Sequence, residues 1–156
     1  MMGLDINHDT WHGAYSAFNT WRKKLAEVAG LPPLGLMEGF YSNDPFNITN
    51  PLNYIEICCK DNDMALDRIK EIKKHLPIRW SLLKPDVLYK LLYHSDCDGQ
   101  ISWQIAGKLA KRLKELVPLL PDEECGGHIG NLRTKTVIFI SGCKLAYDSK
   151  ENLIFG

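Results

Sequence analysis

The run His8-Asp9-Thr10-Trp11-His12-Gly13-Ala14-Tyr15-Ser16-Ala17-Phe18 reads as the opening of a long amphipathic helix, and a mainly α chain follows from that reading. Asp9 or Thr10 is placed to cap it, because a short side-chain oxygen accepts from the orphan N–H groups of a first turn. Trp11, Ala14, Tyr15, Phe18, Trp21, Leu25, Val28 and Ala29 recur at helical spacing, and Gly30 with Pro32-Pro33 ends the element. Arg22, Lys23, Lys24 and Glu27 are expected to face solvent, since such side chains are rarely buried unpaired. His8, Trp11, His12 and Tyr15 would share one face of the first turns, with Asp9 beside them. Two imidazoles one turn apart suit a metal or an anion. A first turn of core aromatics and half-exposed histidines explains the same residues without a ligand.

Working outward, Leu31 to Asn53 reads as an irregular segment rich in Pro, Gly and Asn, with one short helical turn between Leu34 and Phe40. Tyr41, Asn43 and Phe46 in it are candidates to border a pocket. Tyr54 to Leu76 reads as helix, with His75 at its C-terminal end. Ile78-Arg79-Trp80 reads as a short extended piece with Trp80 in the core. Pro85 suits the start of a helix carrying Val87, Leu88, Leu91 and Leu92, although Tyr89, Leu91 and Tyr93 also alternate, so 87–93 is helix or strand.

Ser102 is a good cap for a helix with Ile105, Ala106, Leu109, Ala110, Leu113, Leu116 and Val117 inside. Lys108, Lys111, Arg112 and Lys114 line its outer side, as a solvated face or a docking patch. Asn131 is placed to cap the last helix, whose stripe is Leu132, Thr136, Phe139, Ile140, Cys143 and Tyr147; 136–140 is also strand-like. The expected architecture is mainly α: one compact domain over 1–156 with about five helices, long connecting loops and room for one or two short strands.

Composition narrows the function classes. The chain has 156 residues, 45% hydrophobic and 24% charged, which suits a single soluble domain with a real core. Nineteen basic and 19 acidic side chains leave no formal charge. Nonspecific nucleic-acid binding draws on phosphate neutralisation and is not expected of a neutral chain. No apolar run approaches a membrane span, and Met1 to Asn7 lacks the regions of a signal peptide, so a cytoplasmic location is expected. Five cysteines without CxxC spacing argue against a zinc ribbon or a thioredoxin-like motif.

Between two apolar segments lies His94-Ser95-Asp96-Cys97-Asp98-Gly99-Gln100-Ile101-Ser102. Set against a calcium loop, Asp96, Asp98, Gly99 and Ile101 fall at suitable positions. His94 then stands first and Ile105 last, and two carboxylates are too few for calcium. A transition metal on His94 and a carboxylate is chemically easier. A bare turn accounts for Asp98, Gly99 and Ser102 but leaves His94 and Asp96 unexplained. Further on, Gly126-Gly127, His128 and Arg133 before and within a helix start form a candidate anion site without a P-loop ending.

Two phrases together, His8-Asp9-Thr10-Trp11-His12-Gly13-Ala14-Tyr15-Ser16-Ala17-Phe18 and His94-Ser95-Asp96-Cys97-Asp98-Gly99, resemble a family of small bacterial and bacteriophage proteins. The resemblance spans most of the chain and carries no established activity. Its bacteriophage context implies action against host defences, with sequestration of a nucleotide signal as one form.

Three functions compete. The first is a small-ligand-binding protein that sequesters a phosphorylated, nucleotide-type molecule. Its expected ligand-binding residues are His8, Asp9, Trp11, His12, Tyr15, His94, Asp96, Asp98, Trp103, His128 and Arg133, with aromatic rings stacking and His or Arg meeting phosphate. The second is a metal-dependent hydrolase of a phosphate ester, for which His8, His12, His94 and Asp96 would be ligands. The third is a protein-interaction module using the Lys108 to Lys114 face or the segment 31–53. A binding protein is preferred. No cofactor is favoured, a divalent metal is allowed, and a homo-oligomer is compatible with the sequence.

Overall fold

Asn7-His8-Asp9-Thr10 turns the chain back on itself instead of starting a helix. In the computed structural model, which describes residues 3–32, 34–38, 78–123 and 130–156, His8 and Asp9 both have positive φ, 60° and 55°. That pair defines the primed hairpin turns, whose twist matches the flanking strands. The Thr10 N–H donates to the Asn7 carbonyl at 3.3 Å and closes the turn. Strands β1 (Leu4–Ile6) and β2 (Trp11–Gly13) flank it, antiparallel, with Asp5 opposite His12 and Ile6 opposite Trp11. Helix α1 (Tyr15–Val28) follows, with Ala14 at its N-cap and no side-chain cap. Gly30, at φ 73°, follows its end as expected.

After two short 3₁₀ turns, Leu34–Leu36 and Trp80–Leu83, comes α2 (Tyr89–Leu92), then β3 (Gly99–Ile101), α3 (Trp103–Leu116), a 3₁₀ turn at Val117–Leu119, α4 (Leu132–Ser149) and β4 (Leu153–Phe155). The strands form one antiparallel sheet in the order β2-β1-β4-β3. The two ends of the chain meet at its centre, where Asp5 and Gly156 exchange N–H···O bonds of 3.0 and 2.9 Å.

The mainly α, five-helix expectation is therefore corrected: the described residues form an α/β mix of four α-helices and a four-stranded sheet. The two ambiguous runs settle as helix, with α2 inside 87–93 and α4 covering 136–140. Ser102 and Asn131 cap α3 and α4 as expected, accepting from the Ile105 and Thr134 N–H groups at 3.3 and 3.0 Å. The expected helix over 54–76 and the residues Tyr41, Asn43 and Phe46 lie outside the described residues.

One face of the sheet is core. Leu4, Ile6, Trp11, Ile101, Leu153 and Phe155 are buried, whereas Asp5, His12, Gln100 and Ile154 point the other way and are exposed. This alternation is what a half-buried antiparallel sheet requires. Aromatic rings join the layers: Phe18 of α1 meets Phe155 at 6.2 Å and Trp21 meets Phe139 of α4 at 4.7 Å. The buried Trp21 Nε1–H donates to Thr136 Oγ1 at 2.8 Å, so burying the indole leaves no orphan donor there. Gly142 makes α4 fit the hairpin, because a Cβ there would lie 2.8 Å from the Thr10 Cα.

Candidate functional site

A groove of about 730 Å³ runs between α3 and α4, and its volume is that of a small-molecule site. Trp103, Gln104, Gly107, Lys108, Ala110, Lys111 and Lys114 line it from α3, and Lys144, Tyr147 and Asp148 from α4. The α3 set follows from helical spacing. Trp103, Gly107, Lys111 and Lys114 recur at intervals of four, four and three, which keeps them on one face. The same helix buries Ala106, Leu109, Ala110, Leu113 and Leu116, so the lysine face is turned away from the core.

Gly107 sets the floor of the groove. A Cβ at this position would lie 2.5 Å from Tyr147 Cδ2 and 3.1 Å from its Cγ. The missing side chain is thus what lets the phenol ring lie down on α3. Tyr147 was expected in the apolar stripe of α4; it is instead 50% exposed and meets Trp103 at 5.6 Å between centroids, at 57°. The two rings form a tilted aromatic corner at one end of the groove.

Charge dominates the rest. Among the described residues none of Lys108, Lys111, Lys114 and Lys144 makes an ion pair, and Asp148 is the one carboxylate lining the groove. Arg112, grouped with the α3 lysines from sequence, is committed elsewhere. Its guanidinium grips Asp86 at 3.0 to 3.2 Å and reaches Glu115 at 3.1 Å. Four ammonium groups sharing one groove repel each other, and an anion entering it relieves that repulsion.

Among the described residues the histidines expected to gather are each engaged with different partners. The side chain of His8, in the hairpin turn, is largely buried, with Nε2 3.7 Å from Glu151. Trp11 is in the core, stacked on Trp21 at 5.2 Å, with the Lys135 ammonium 4.6 Å over its ring. His12 lies on the open face of the sheet between two carboxylates: Nδ1 is 2.8 Å from Asp5 and Nε2 3.2 Å from Asp9. These hydrogen bonds, Asp5 first, raise its pKa above the usual 6.5. Tyr15 opens α1, half-buried against the core.

The His94 loop is held as a structural unit. His94 Nδ1 is 2.9 Å from the Ser95 carbonyl, Nε2 is 3.1 Å from that of Gln100, and the ring packs on Phe155 at 4.0 Å. Asp96 accepts from Asn19 at 2.9 Å, and Asp98 is exposed. The organiser is Arg22, which the sequence pattern placed in solvent and the structure leaves 1% exposed. Its Nη1 donates to the carbonyls of Leu91, Leu92 and His94 at 3.3, 3.1 and 2.6 Å, while Nη2 donates to Asn19. The carbonyls at the end of α2 have no partner within the helix, and a buried cation supplies one.

Of the remaining expected site residues, His128 lies outside the described residues. Arg133 donates to the Leu120 carbonyl at 2.7 Å and lies 3.8 Å from Asp122, so it ties the start of α4 to the preceding turn. Among the described residues no group of three or more His, Cys, Asp or Glu is placed to hold a metal ion. Asp5 and Asp9 take opposite edges of the His12 ring, so the three ligand groups do not face a common point. Among the described residues Trp103 is the one expected ligand residue that lines the groove. Gly107, Lys144, Tyr147 and Asp148 were missed, and the recurrence of Trp103, Gly107, Lys111 and Lys114 on one helical face is the signal that could have found their partners. No family model, curated protein or solved structure matches this chain.

Proposed function

We propose that the protein binds a small, phosphorylated, nucleotide-type molecule in the groove between α3 and α4. The observation that carries this reading is the set of four lysines that make no ion pair among the described residues, beside an aromatic corner, Trp103 and Tyr147, in a cavity of suitable volume. Lysine is a point-charge phosphate ligand, and rings with exposed edges or faces accept a planar group. The site lies on two long helices fixed by the core, which suits retention of a ligand in one pose.

Thermal unfolding with ATP, GTP and pyrophosphate tests the reading. A ligand at a hundred times its Kd adds about 2.7 kcal/mol, which is roughly 5–10 °C for a chain of this size. The shift is expected to shrink as salt rises, because screening weakens lysine–phosphate attraction. It is expected to vanish in Lys111→Glu and Lys144→Glu variants that melt normally without ligand. Unchanged melting at millimolar ATP, GTP and pyrophosphate in low salt would end this proposal.

A further inference from the structure

We infer that the groove is polarised, and that its ligand carries one planar ring and at least two phosphoryl groups: a nucleoside di- or triphosphate, in preference to a monophosphate or to polyphosphate alone. This rests on the reading of the groove as an anion site and names the ligand class.

The ring end is defined by Gly107, Tyr147 and Trp103. Tyr147 cannot settle further into α3, since the Gly107 backbone is already beneath it, and its half-exposed ring is held beside Trp103. An aromatic surface fixed in this way is a preorganised seat for a base, because little side-chain freedom is lost on stacking. The charged end lies further along both helices. From Trp103, Lys111 is about 12 Å and Lys114 about 16 Å along the axis of α3. On α4, Lys144 stands one turn from Tyr147. Gly107 on α3 lies against Tyr147 near the C-terminal end of α4, so the two helices run in opposite directions here and Lys144 is directed toward the Lys111 end.

The charge balance sets the number of phosphates. Lys108, Lys111, Lys114 and Lys144 against Asp148 leave a formal surplus of three positive charges in the groove. One phosphomonoester brings about −1.5 to −2 and leaves part of that surplus uncompensated. A second phosphoryl group brings the ligand close to balance. Polyphosphate without a base satisfies the lysines but leaves the aromatic corner in water.

Calorimetric titration at fixed low salt separates the terms, using ATP, GTP, UTP, ADP, AMP and inorganic tripolyphosphate. At least one nucleoside triphosphate, and ADP if adenine is the base accepted, is expected to bind ten- to a hundred-fold more tightly than tripolyphosphate, the range a stacked base contributes. AMP is expected to bind at least ten-fold more weakly than ADP. Gly107→Ala, whose new methyl group displaces Tyr147, and Tyr147→Ala are each expected to bring the nucleotide down to the affinity of tripolyphosphate while leaving tripolyphosphate unchanged. Equal affinity of tripolyphosphate and all three triphosphates overturns the ring seat and leaves the anion groove standing. AMP binding as tightly as ADP overturns the phosphate count. No binding of any probe, tripolyphosphate included, brings down the proposed function itself.

Discussion

Replacing Arg22 by Met is expected to cost about 3 kcal/mol of folding stability, and the figure can be worked from its contacts. Nη1 carries two hydrogens and faces three carbonyls, those of Leu91, Leu92 and His94, so it counts as about two charge-assisted hydrogen bonds of ~1.5–3 kcal/mol each. Removing it leaves the end of α2 and the start of the His94 loop without donors. Opposing this is the desolvation of the guanidinium, which pulls its pKa down to about 10 despite the nearby Asp96 and is no longer incurred in the variant. Methionine also keeps most of the apolar stem packed on Phe18, over whose ring the guanidinium carbon sits at 4.6 Å. The net lies near the lower end of the ~3–5 kcal/mol seen when one partner of a buried charged network is deleted. Urea unfolding reads it as a lower midpoint at unchanged slope, together with a fall in Tm of about 6–12 °C. Arg22→Lys is expected to fall between the two, because one ammonium cannot serve the three carbonyls and Asn19 together. An Arg22→Met variant within about 0.5 kcal/mol of the parent would refute the assignment of Arg22 as the organiser of this loop.

Other perturbations test separate parts of the structure. The raised pKa of His12 stabilises the fold fully below about 6.5, and this contribution is lost as pH rises through the folded value. His12→Ala should therefore lower Tm at pH 5.5 and leave it unchanged at pH 8.5; the pair is exposed, so the effect is a few tenths of a kcal/mol. Gly142→Ala forces a methyl group onto the Thr10 side chain and within 2.8 Å of its Cα, and is expected to cost at least about 1–3 kcal/mol in chemical denaturation, because backbone must move. Lys150 ends α4 in the left-handed region at φ 56°, with the Glu151 N–H donating to the Ala146 carbonyl. Lys150→Gly should thus raise stability by about 1 kcal/mol, visible as a higher denaturation midpoint. Cys143 is buried, and burial raises its thiol pKa, whereas Cys97 is exposed. Brief alkylation of the native protein at pH 8, read by peptide mass, should mark Cys97 and spare Cys143.

Helices with long stripes were legible in the sequence, and so were their caps. Ser102 and Asn131 act as local chemistry dictates, and Gly30 follows α1 where a left-handed residue is wanted. The sheet was not legible, for physical reasons. Each strand has three residues, too short for alternation to stand out from noise. The hairpin turn uses His8 and Asp9 at positive φ instead of the Asn-Gly pair that announces such turns. The pairing of β1 with β4 joins the two ends of the chain, and no local window contains it. Once the run 8–13 is a turn and a strand and α1 starts only at Tyr15, the apparent helical face of His8, Trp11, His12 and Tyr15 dissolves. Trp11 goes to the core and His12 to the open face.

Composition alone does not separate cations that hold the fold together from cations that line the groove. Arg22 and Lys111 both sit on helices beside other charged residues, and the sequence pattern puts Arg22 in solvent and Lys111 on a solvated face or a docking patch. What separates them is what the fold brings opposite. The end of α2 presents Arg22 with three carbonyls in need of donors, and the planar, weakly hydrated guanidinium can satisfy several at once. The groove that Lys111 lines is shared with Lys144, Tyr147 and Asp148 of α4, and among the described residues Lys111 makes no ion pair with that carboxylate. A buried cation surrounded by acceptors is already satisfied and has structure as its role. Among the described residues the lysines that line the groove have one carboxylate, Asp148, beside them, and under the proposed function a bound anion would balance the remaining charge.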